Sequence, residues 1–299
     1  MRLIDVFAAQ PALFIGACLV VGLLIGSFLN VVIHRLPVML ERQWRAECAA
    51  LAAGSEPAPR EERFNLVVPR SACPTCRAPI TAWQNIPLLS FLALGGRCAA
   101  CRAPISVRYP LIEALTAVMS AAVAWRFGFG AAALAALVLT WFLIALAFID
   151  MDTQYLPDSL TLPLLWLGLL VSLAGAAQAN ASIPVDLRSS VIGAVAGYLS
   201  LWSIYQLFRL ATGKEGMGYG DFKLLSALGA WLGWQLILPI VLVAAAVGAV
   251  SGVMLLSIQG RDRATPLAFG PYLAASGWLM LLCGHDIVER YFGLFALRP

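Results

Sequence analysis

Long apolar segments constrain the fold of this chain more than any other feature. A membrane-spanning helix needs about 20 predominantly apolar residues. Eight segments approach or reach that length, at roughly 11–34, 108–126, 130–149, 159–178, 189–211, 221–236, 238–258 and 267–284. Only 12% of the 299 residues are charged, against roughly 25% in soluble domains. The sequence therefore predicts an all-α polytopic membrane protein with about eight transmembrane helices.

The basic residues are distributed unevenly, and this predicts the orientation of the chain. Cytoplasmic loops of membrane proteins carry an excess of lysine and arginine. Placing residues 35–107 in the cytoplasm leaves 15 basic residues on that side and 5 on the other. The net charge of +4 is modest, and we expect no nucleic-acid partner. Three regions follow: a first transmembrane helix at 1–34, a cytoplasmic insert at 35–107 and a transmembrane core at 108–299.

Four cysteines form an internal repeat within the insert. The stretch "CPTCRAPI" at 73–80 recurs as "CAACRAPI" at 98–105. Two thiols on one tight turn can bind a metal ion, and two such turns complete a tetrahedral site, most often for zinc. Disulfides or a redox-active CxxC are the alternatives, but a cytoplasmic location disfavours stable disulfides. We expect a structural, zinc-ribbon-like site formed by Cys73, Cys76, Cys98 and Cys101. The first part of the insert, 41–65, carries no motif with a functional meaning.

Aspartates at the ends of apolar segments indicate chemistry. Asp221 follows three glycines in "GMGYGDFKLL" (216–225), and "FIDMDTQYLPD" (148–158) ends another apolar segment at the same predicted face. An ionisable group at this depth suggests a functional site, although Asp221 could instead be a helix N-cap. Two close carboxylates cannot both ionise easily. Such a pair can share one proton and activate a water, as aspartic proteases do.

The second member of the pair must come from the cluster at 148–158. Asp150 is the more embedded of its first two aspartates, so we prefer it to Asp152. Asp158 follows a proline and precedes a helix, which favours an N-cap role. The sequence has no G-x-S-x-G and no H-E-x-x-H motif, so it lacks these signatures of serine hydrolases and zinc metalloproteases.

Taken together, these motifs resemble the bacterial type IV prepilin peptidases, which are also prepilin N-methyltransferases. The resemblance covers nearly the whole chain and is carried by "GSFLNVVIHRLP" (26–37), the paired CxxC turns, "RYPLIEALTA" (108–117), "FIDMDTQYLPDSLTLPLLWLGL" (148–169) and "GMGYGDFKLLSALGAWLG" (216–233). It implies an intramembrane aspartyl protease of the GxGD type in the bacterial inner membrane. Its substrates would be type IV prepilins and type II secretion pseudopilins, cleaved on the cytoplasmic side.

The resemblance also implies roles for individual residues. The GxGD aspartate is Asp221, and the other catalytic aspartate is Asp150, with Asp152 two residues further on as the alternative register. The four cysteines would bind zinc. After cleavage behind a glycine, the new N-terminal amine, usually of phenylalanine, would be methylated with S-adenosylmethionine as the methyl donor.

The methyl-transfer site is the least defined part of this prediction. No Rossmann-type motif for S-adenosylmethionine is present. Glu113 and Asn30 are our candidates for that site, and close helix packing is the alternative explanation for Asn30 and its polar neighbours. Two other functions stay open: a GxGD peptidase without methyltransferase activity, and a transporter whose embedded aspartates carry protons.

Overall fold

The structure is a computed structural model that describes residues 3–54, 64–81, 83, 87–176, 185–259 and 268–294. Within these ranges the chain forms ten α-helices and no strand, with only two isolated β-bridges in the cysteine-rich segment. The helices are α1 (Leu3–Ala9), α2 (Pro11–Ala53), α3 (Leu89–Ala93), α4 (Arg108–Phe127), α5 (Ala131–Thr153), α6 (Asp158–Ala176), α7 (Leu187–Thr212), α8 (Tyr219–Leu232), α9 (Ile237–Gln259) and α10 (Gly270–Leu294). The predicted all-helical membrane protein is confirmed.

The predicted count of eight spans is approximate. Six helices in the described ranges are long and apolar enough to cross a membrane, namely α2, α4, α5, α6, α7 and α9. Helix α8 has 14 residues, which is about 21 Å of helix and shorter than the hydrocarbon core of a bilayer. The boundary expected between the sixth and seventh segments exists, because α8 ends at Leu232, Gly233 is its C-cap, and a short 3-10 turn, Trp234–Leu236, leads into α9.

Helix α2 is much longer than the predicted first span. It runs for 43 residues, with Pro37 in its interior, and is therefore about 64 Å long. A bilayer core is only about 30 Å thick, so much of this helix extends beyond it. The helical part of 41–65 is thus the end of α2, and 55–63 lie outside the described residues.

The chain divides into two compact units, Met1–Trp125 and Arg126–Pro299. Within the first unit, α4 packs against α2. A Cβ at Gly22 would lie 2.7 Å from the Cα of Ala117, and one at Gly26 would lie 2.7 Å from the Cα of Glu113. Two glycines four residues apart thereby let the backbones of α2 and α4 meet, as in other small-residue contacts of membrane helices.

The second unit is built around α8, which is buried along almost its whole length. Its closest neighbour is α7, since Gly193 on α7 and Gly229 on α8 face each other with their backbones in direct contact. Next to them, the hydroxyl of Ser190 donates to the carbonyl of Ala230, and that of Ser226 donates to the carbonyl of Ala194 at 2.7 Å. Each of the two helices thus donates one serine hydrogen bond to a backbone carbonyl of the other.

Helix α6 covers another face of α8. The indole N–H of Trp231 donates to the carbonyl of Leu164 at 2.7 Å. Pro163, directly before Leu164, lies inside the same helix and cannot donate a backbone hydrogen bond to the preceding turn. Large apolar side chains from α5 to α10 complete this core.

A bulky side chain at the contact of α7 with α8 should destabilise the second unit. We expect Gly229→Leu to lower the free energy of unfolding by about 1–3 kcal/mol, because overpacking at a rigid backbone contact forces the helices apart. Thermal unfolding in detergent would measure the loss. Gly252→Leu on α9 is the matched control, since a Cβ there meets nothing within 4 Å. Equal melting temperatures for the two variants would contradict this assignment of the contact.

Candidate active site and metal site

Asp150 lies near the C-terminus of α5 and is buried, with 5% of its surface exposed. Asp152, two residues further along the same helix, is exposed. The helical period turns these two residues toward different faces, so burial distinguishes them clearly. The backbone N–H of Gly270, at the start of α10, donates to Oδ2 of Asp150 at 3.0 Å. A buried carboxylate needs such a partner, because an unpaired charge away from water is costly.

Asp221 is the third residue of α8, and Gly218 is the N-cap of that helix. Asp221 is therefore not the N-cap that the alternative interpretation predicted, because the N-cap lies three residues earlier. Its carboxylate instead faces back toward the backbone N–H of Gly218, which is the position that an acidic N3 residue takes in a capping box. Asp221 is only 7% exposed, so this carboxylate lies inside the protein rather than at its surface.

Leu156 connects the surroundings of the two aspartates. A Cβ at Gly220, directly before Asp221, would lie 2.7 Å from the Cβ of Leu156. A Cβ at Gly270, the donor to Asp150, would lie 3.2 Å from Cδ1 of the same leucine. The aspartates are close enough for their charges to interact. The ends of α5, α8 and α10 thus converge around one buried leucine and two buried carboxylates.

An ion pair ties the start of α6 to the start of α8. The Nζ atom of Lys223 lies 2.6 Å from Oδ1 and 2.7 Å from Oδ2 of Asp158. Asp158 is the first residue of α6, so its predicted N-cap role is replaced by this pairing with a residue 65 positions away. The pair therefore links α6 to α8 at a position two residues after Asp221. Gly218 lies three residues before Asp221.

Aromatic side chains pack behind the first turn of α8. The ring of Tyr205, on α7, lies 5.5 Å from that of Tyr219 and 5.6 Å from that of Phe222. Tyr198 makes an edge-to-face contact with Phe222. The hydroxyl of Tyr205 is buried and has no hydrogen-bond partner in the part of the chain that the structure describes. These contacts hold the residues that flank Asp221 against α7.

The four cysteines of the repeat converge on one point, with their sulfur atoms within 4.8 Å of one another. The distances are 3.8 Å between the sulfurs of Cys73 and Cys101 and 4.0 Å between those of Cys76 and Cys98. A tetrahedral ion with sulfur ligands at 2.3 Å separates them by about 3.8 Å. None of the four forms a disulfide in this structure, and the cluster can hold one metal ion.

The two turns are structural copies as well as sequence copies. Arg77 and Arg102 take the left-handed conformation at equivalent positions, with φ of 58° and 62°. Backbone N–H groups of Cys76 and Thr75 donate to the sulfur of Cys73 and lower the pKa of that thiol to about 6. The N–H groups of Cys101 and Ala100 lower the pKa of Cys98 in the same way. The first cysteine of each turn therefore favours the thiolate form, which is the form that binds metal. At Cys101, despite a hydrogen bond from the backbone N–H of Ala103, the neighbouring sulfur of Cys76 raises the pKa to about 11.

Glu113 and Asn30, the candidates for methyl transfer, lie at the contact of α2 with α4, and both are buried. Glu113 accepts a hydrogen bond from the backbone N–H of Leu88 at 2.9 Å and interacts with the Ser27 side chain. The side-chain amide of Asn30 donates to the carbonyl of Tyr109 at 3.2 Å. The structure brings both residues into one helix interface, where each has a structural partner, and their catalytic role stays a prediction.

Two neighbours of the aspartates were not found by reading the sequence. Gly270 opens α10 in "FGPYLA" (269–274), and Lys223 follows Asp221 in "GDFKLL". A Gly-Pro pair ahead of an apolar segment is typical of a helix start, and that signal could have identified Gly270. Neither pattern indicates which distant residue it contacts.

Comparison with known proteins identifies the family to which this chain is similar. Residues 20–127 match the family model described as the bacterial peptidase A24 N-terminal domain, and residues 137–253 match the type IV leader peptidase family. A prepilin leader peptidase/N-methyltransferase of Pseudomonas aeruginosa is 53% identical over 97% of this chain and 98% of its own length. The proteins of that name from Aeromonas hydrophila and Neisseria gonorrhoeae are 53% and 49% identical, over 98% and 94% of this chain and 99% and 94% of their own lengths.

No solved structure matches the chain. The family is nevertheless shown by sequence, since identity near 50% extends over nearly the whole of this chain and of its relatives. The predicted resemblance is confirmed, and so is the multi-pass membrane character. With its buried aspartates and its four-cysteine cluster, the chain belongs to the type IV leader peptidase family.

Proposed function

We propose that this protein cleaves the basic leader from type IV prepilins and pseudopilins and then N-methylates the new N-terminal residue. The observation that carries the first half is the pair of buried aspartates at adjoining helix ends, each facing a glycine N–H. The printed name of the relatives, prepilin leader peptidase/N-methyltransferase, supports both halves. The protein would act in the bacterial inner membrane, with the aspartates toward the cytoplasm, as the distribution of basic residues favours.

Asp150 and Asp221 would share one proton and hold a water between them. The ionised carboxylate takes a proton from that water, whose oxygen attacks the carbonyl carbon of the scissile bond, while the protonated partner donates its proton to the carbonyl oxygen. The C–N bond then breaks as the leaving nitrogen takes up the proton that came from the water, and the carbonyl forms again as its oxygen returns the other proton to the dyad. No covalent intermediate forms. Burial of both groups supports this proposal, because a water-poor site strengthens the electrostatic interaction between the dyad and the developing charge.

The mass of a purified prepilin, incubated with the protein and S-adenosylmethionine, tests the proposal. Loss of the leader together with the gain of one methyl group would support both activities. Loss of the leader alone would favour the peptidase without methyltransferase activity. An intact substrate, from protein that is folded and monodisperse, would overturn the proposal.

Replacement of either buried aspartate should abolish cleavage. We expect Asp150→Asn and Asp221→Asn each to lower kcat for leader removal by about 10²–10⁴-fold, since neither amide can exchange the shared proton. Asp152→Asn is the matched control, because Asp152 lies in the same helical turn but is exposed, and it should keep nearly full activity. Loss of activity in Asp152→Asn with full activity in Asp150→Asn would instead assign the dyad to the alternative register.

We also propose that the four-cysteine cluster binds zinc in a structural role. A closed set of four thiolates leaves no open position for a substrate, and the sulfur separations agree with zinc–sulfur bonds. When bound, the ion would supply cross-linking of the two turns. The chain's own contribution is the set of backbone N–H groups that favour the thiolates of Cys73 and Cys98.

Removal of one thiol should release the metal. We expect purified wild-type protein to contain about one zinc ion per chain and Cys98→Ser to contain well under half of that, as measured by elemental analysis. Cys48→Ser is the control, because Cys48 is an exposed cysteine on α2, outside the cluster. Full zinc content in Cys98→Ser would contradict the assignment.

Glu113 and Asn30 remain our proposal for the methyl-transfer half. Their support is the burial of a carboxylate and an amide in one helix interface, where a carboxylate could orient a substrate amine. Their existing hydrogen bonds support the competing structural role equally. Kinetic separation of the two activities can decide between these roles.

Substitution of Glu113 should affect methylation more than cleavage. We expect Glu113→Gln to lower the methylation rate of a pre-cleaved peptide by about 10-fold or more, the scale of a lost charge-assisted contact, while leader removal changes less than threefold. Transfer of a labelled methyl group measures the first activity and peptide mass the second. Glu47→Gln, at an exposed position of α2, is the control. If Glu113→Gln leaves both activities intact, Glu113 has no role in methyl transfer.

A further inference from the structure

We propose that Gly270 is a positioning residue of the proteolytic site, with a backbone N–H that fixes the carboxylate of Asp150 and a missing side chain that leaves room for it. This inference rests on the proposed peptidase function and deepens it. It adds the start of α10 to a site otherwise formed by the end of α5 and the start of α8.

The first step of the inference concerns the hydrogen bond. Gly270 is the first residue of α10, and the N–H groups of Tyr272 and Leu273 both donate to the carbonyl of Phe269. Pro271 has no N–H to offer. The first turn of the helix therefore directs the N–H of Gly270 at one acceptor, Oδ2 of Asp150. The positive end of the helix dipole adds to the attraction for a carboxylate at this position.

The second step concerns space. A Cβ at residue 270 would lie 2.6 Å from Oδ2 and 3.1 Å from Cγ of Asp150. It would also lie 3.2 Å from Cδ1 of Leu156, which in turn packs against Gly220. The carboxylate is buried, with 5% of the residue exposed, and it accepts the hydrogen bond of Gly270. A methyl group at position 270 would therefore force the carboxylate to shift from the position in which it accepts this bond.

The third step concerns the symmetry of the two aspartates. Asp221 faces the N–H of Gly218 at the start of α8, and Asp150 faces the N–H of Gly270 at the start of α10. Each carboxylate thus faces a glycine at the start of a helix, and Gly270 donates a hydrogen bond to its aspartate. Two helix N-termini directed at one pair of carboxylates favour the single negative charge that an aspartate dyad carries. Gly270 supplies half of this arrangement.

The kinetic experiment uses the full chain in detergent or lipid discs, with a prepilin peptide as substrate. We expect Gly270→Ala to lower kcat for leader removal by about 10²-fold or more, the scale of a roughly 1 Å misplacement of a catalytic group, while KM changes less than threefold. Methylation of a pre-cleaved peptide should be unchanged. Gly284→Ala is the matched control, since its Cβ would also make a 2.6 Å contact on α10, but with the flexible end of Leu236.

A stability experiment tests the same contact without any need for activity. Gly270→Ala should lower the melting temperature in the wild-type background and lower it by less than half as much in an Asp150→Ala background, where the clashing carboxylate is gone. Equal losses in the two backgrounds, or equal kcat values for Gly270→Ala and wild type, would overturn the role of Gly270. Failure of the wild-type protein to cleave the peptide would instead overturn the proposed function, and the stability cycle would still report on the contact.

Discussion

Burial of the short helix α8 is the constraint on which the rest of the second unit depends. At 14 residues it is too short to cross a bilayer as an independent span, so its neighbours must surround it and stabilise it. They do so through a backbone contact between glycines of α7 and α8, serine hydroxyls that bridge the same pair, and a hydrogen bond from the indole of Trp231 on α8 to the carbonyl of Leu164 on α6. Each of these contacts requires two helices to approach closely. Lipid chains could not replace the hydrogen bonds among them, because lipid chains have no donors or acceptors.

This enclosure determines the chemistry at the end of α8. Because the helix begins inside the protein, Asp221 in its first turn is kept away from bulk water and near a second carboxylate. The ion pair of Lys223 with Asp158 and the aromatic contacts of Tyr219 and Phe222 hold that turn from two sides. A site that keeps two carboxyl groups close together needs such support, because two carboxyl groups in contact cannot both ionise easily.

The first unit has a different stabilising feature, the four-cysteine cluster. Its four-cysteine cluster is built from two copies of one turn, in which backbone N–H groups and a left-handed arginine recur with an offset of 25 residues. A metal ion can stabilise so small a segment because it replaces a hydrophobic core. Next to it, buried Arg35 on α2 donates to the carbonyls of Asn65 and Pro69. These bonds attach the segment that precedes the cluster to a helix that reaches well beyond the membrane.

The sequence by itself determined the membrane class, the approximate spans, the cysteine repeat and the family, because each is written in local periodicity or in motifs of a few residues. The burial of Asp150 and the exposure of Asp152 could also be predicted, since position along an apolar helix is a local property. Only the tertiary structure decided the length of α2, the placement of α4 in the first unit and the neighbours of the aspartates. Gly270 is 120 residues from Asp150, and Lys223 is 65 residues from Asp158. Such contacts depend on how helices pack, and a single chain carries no local signal for packing between segments so far apart.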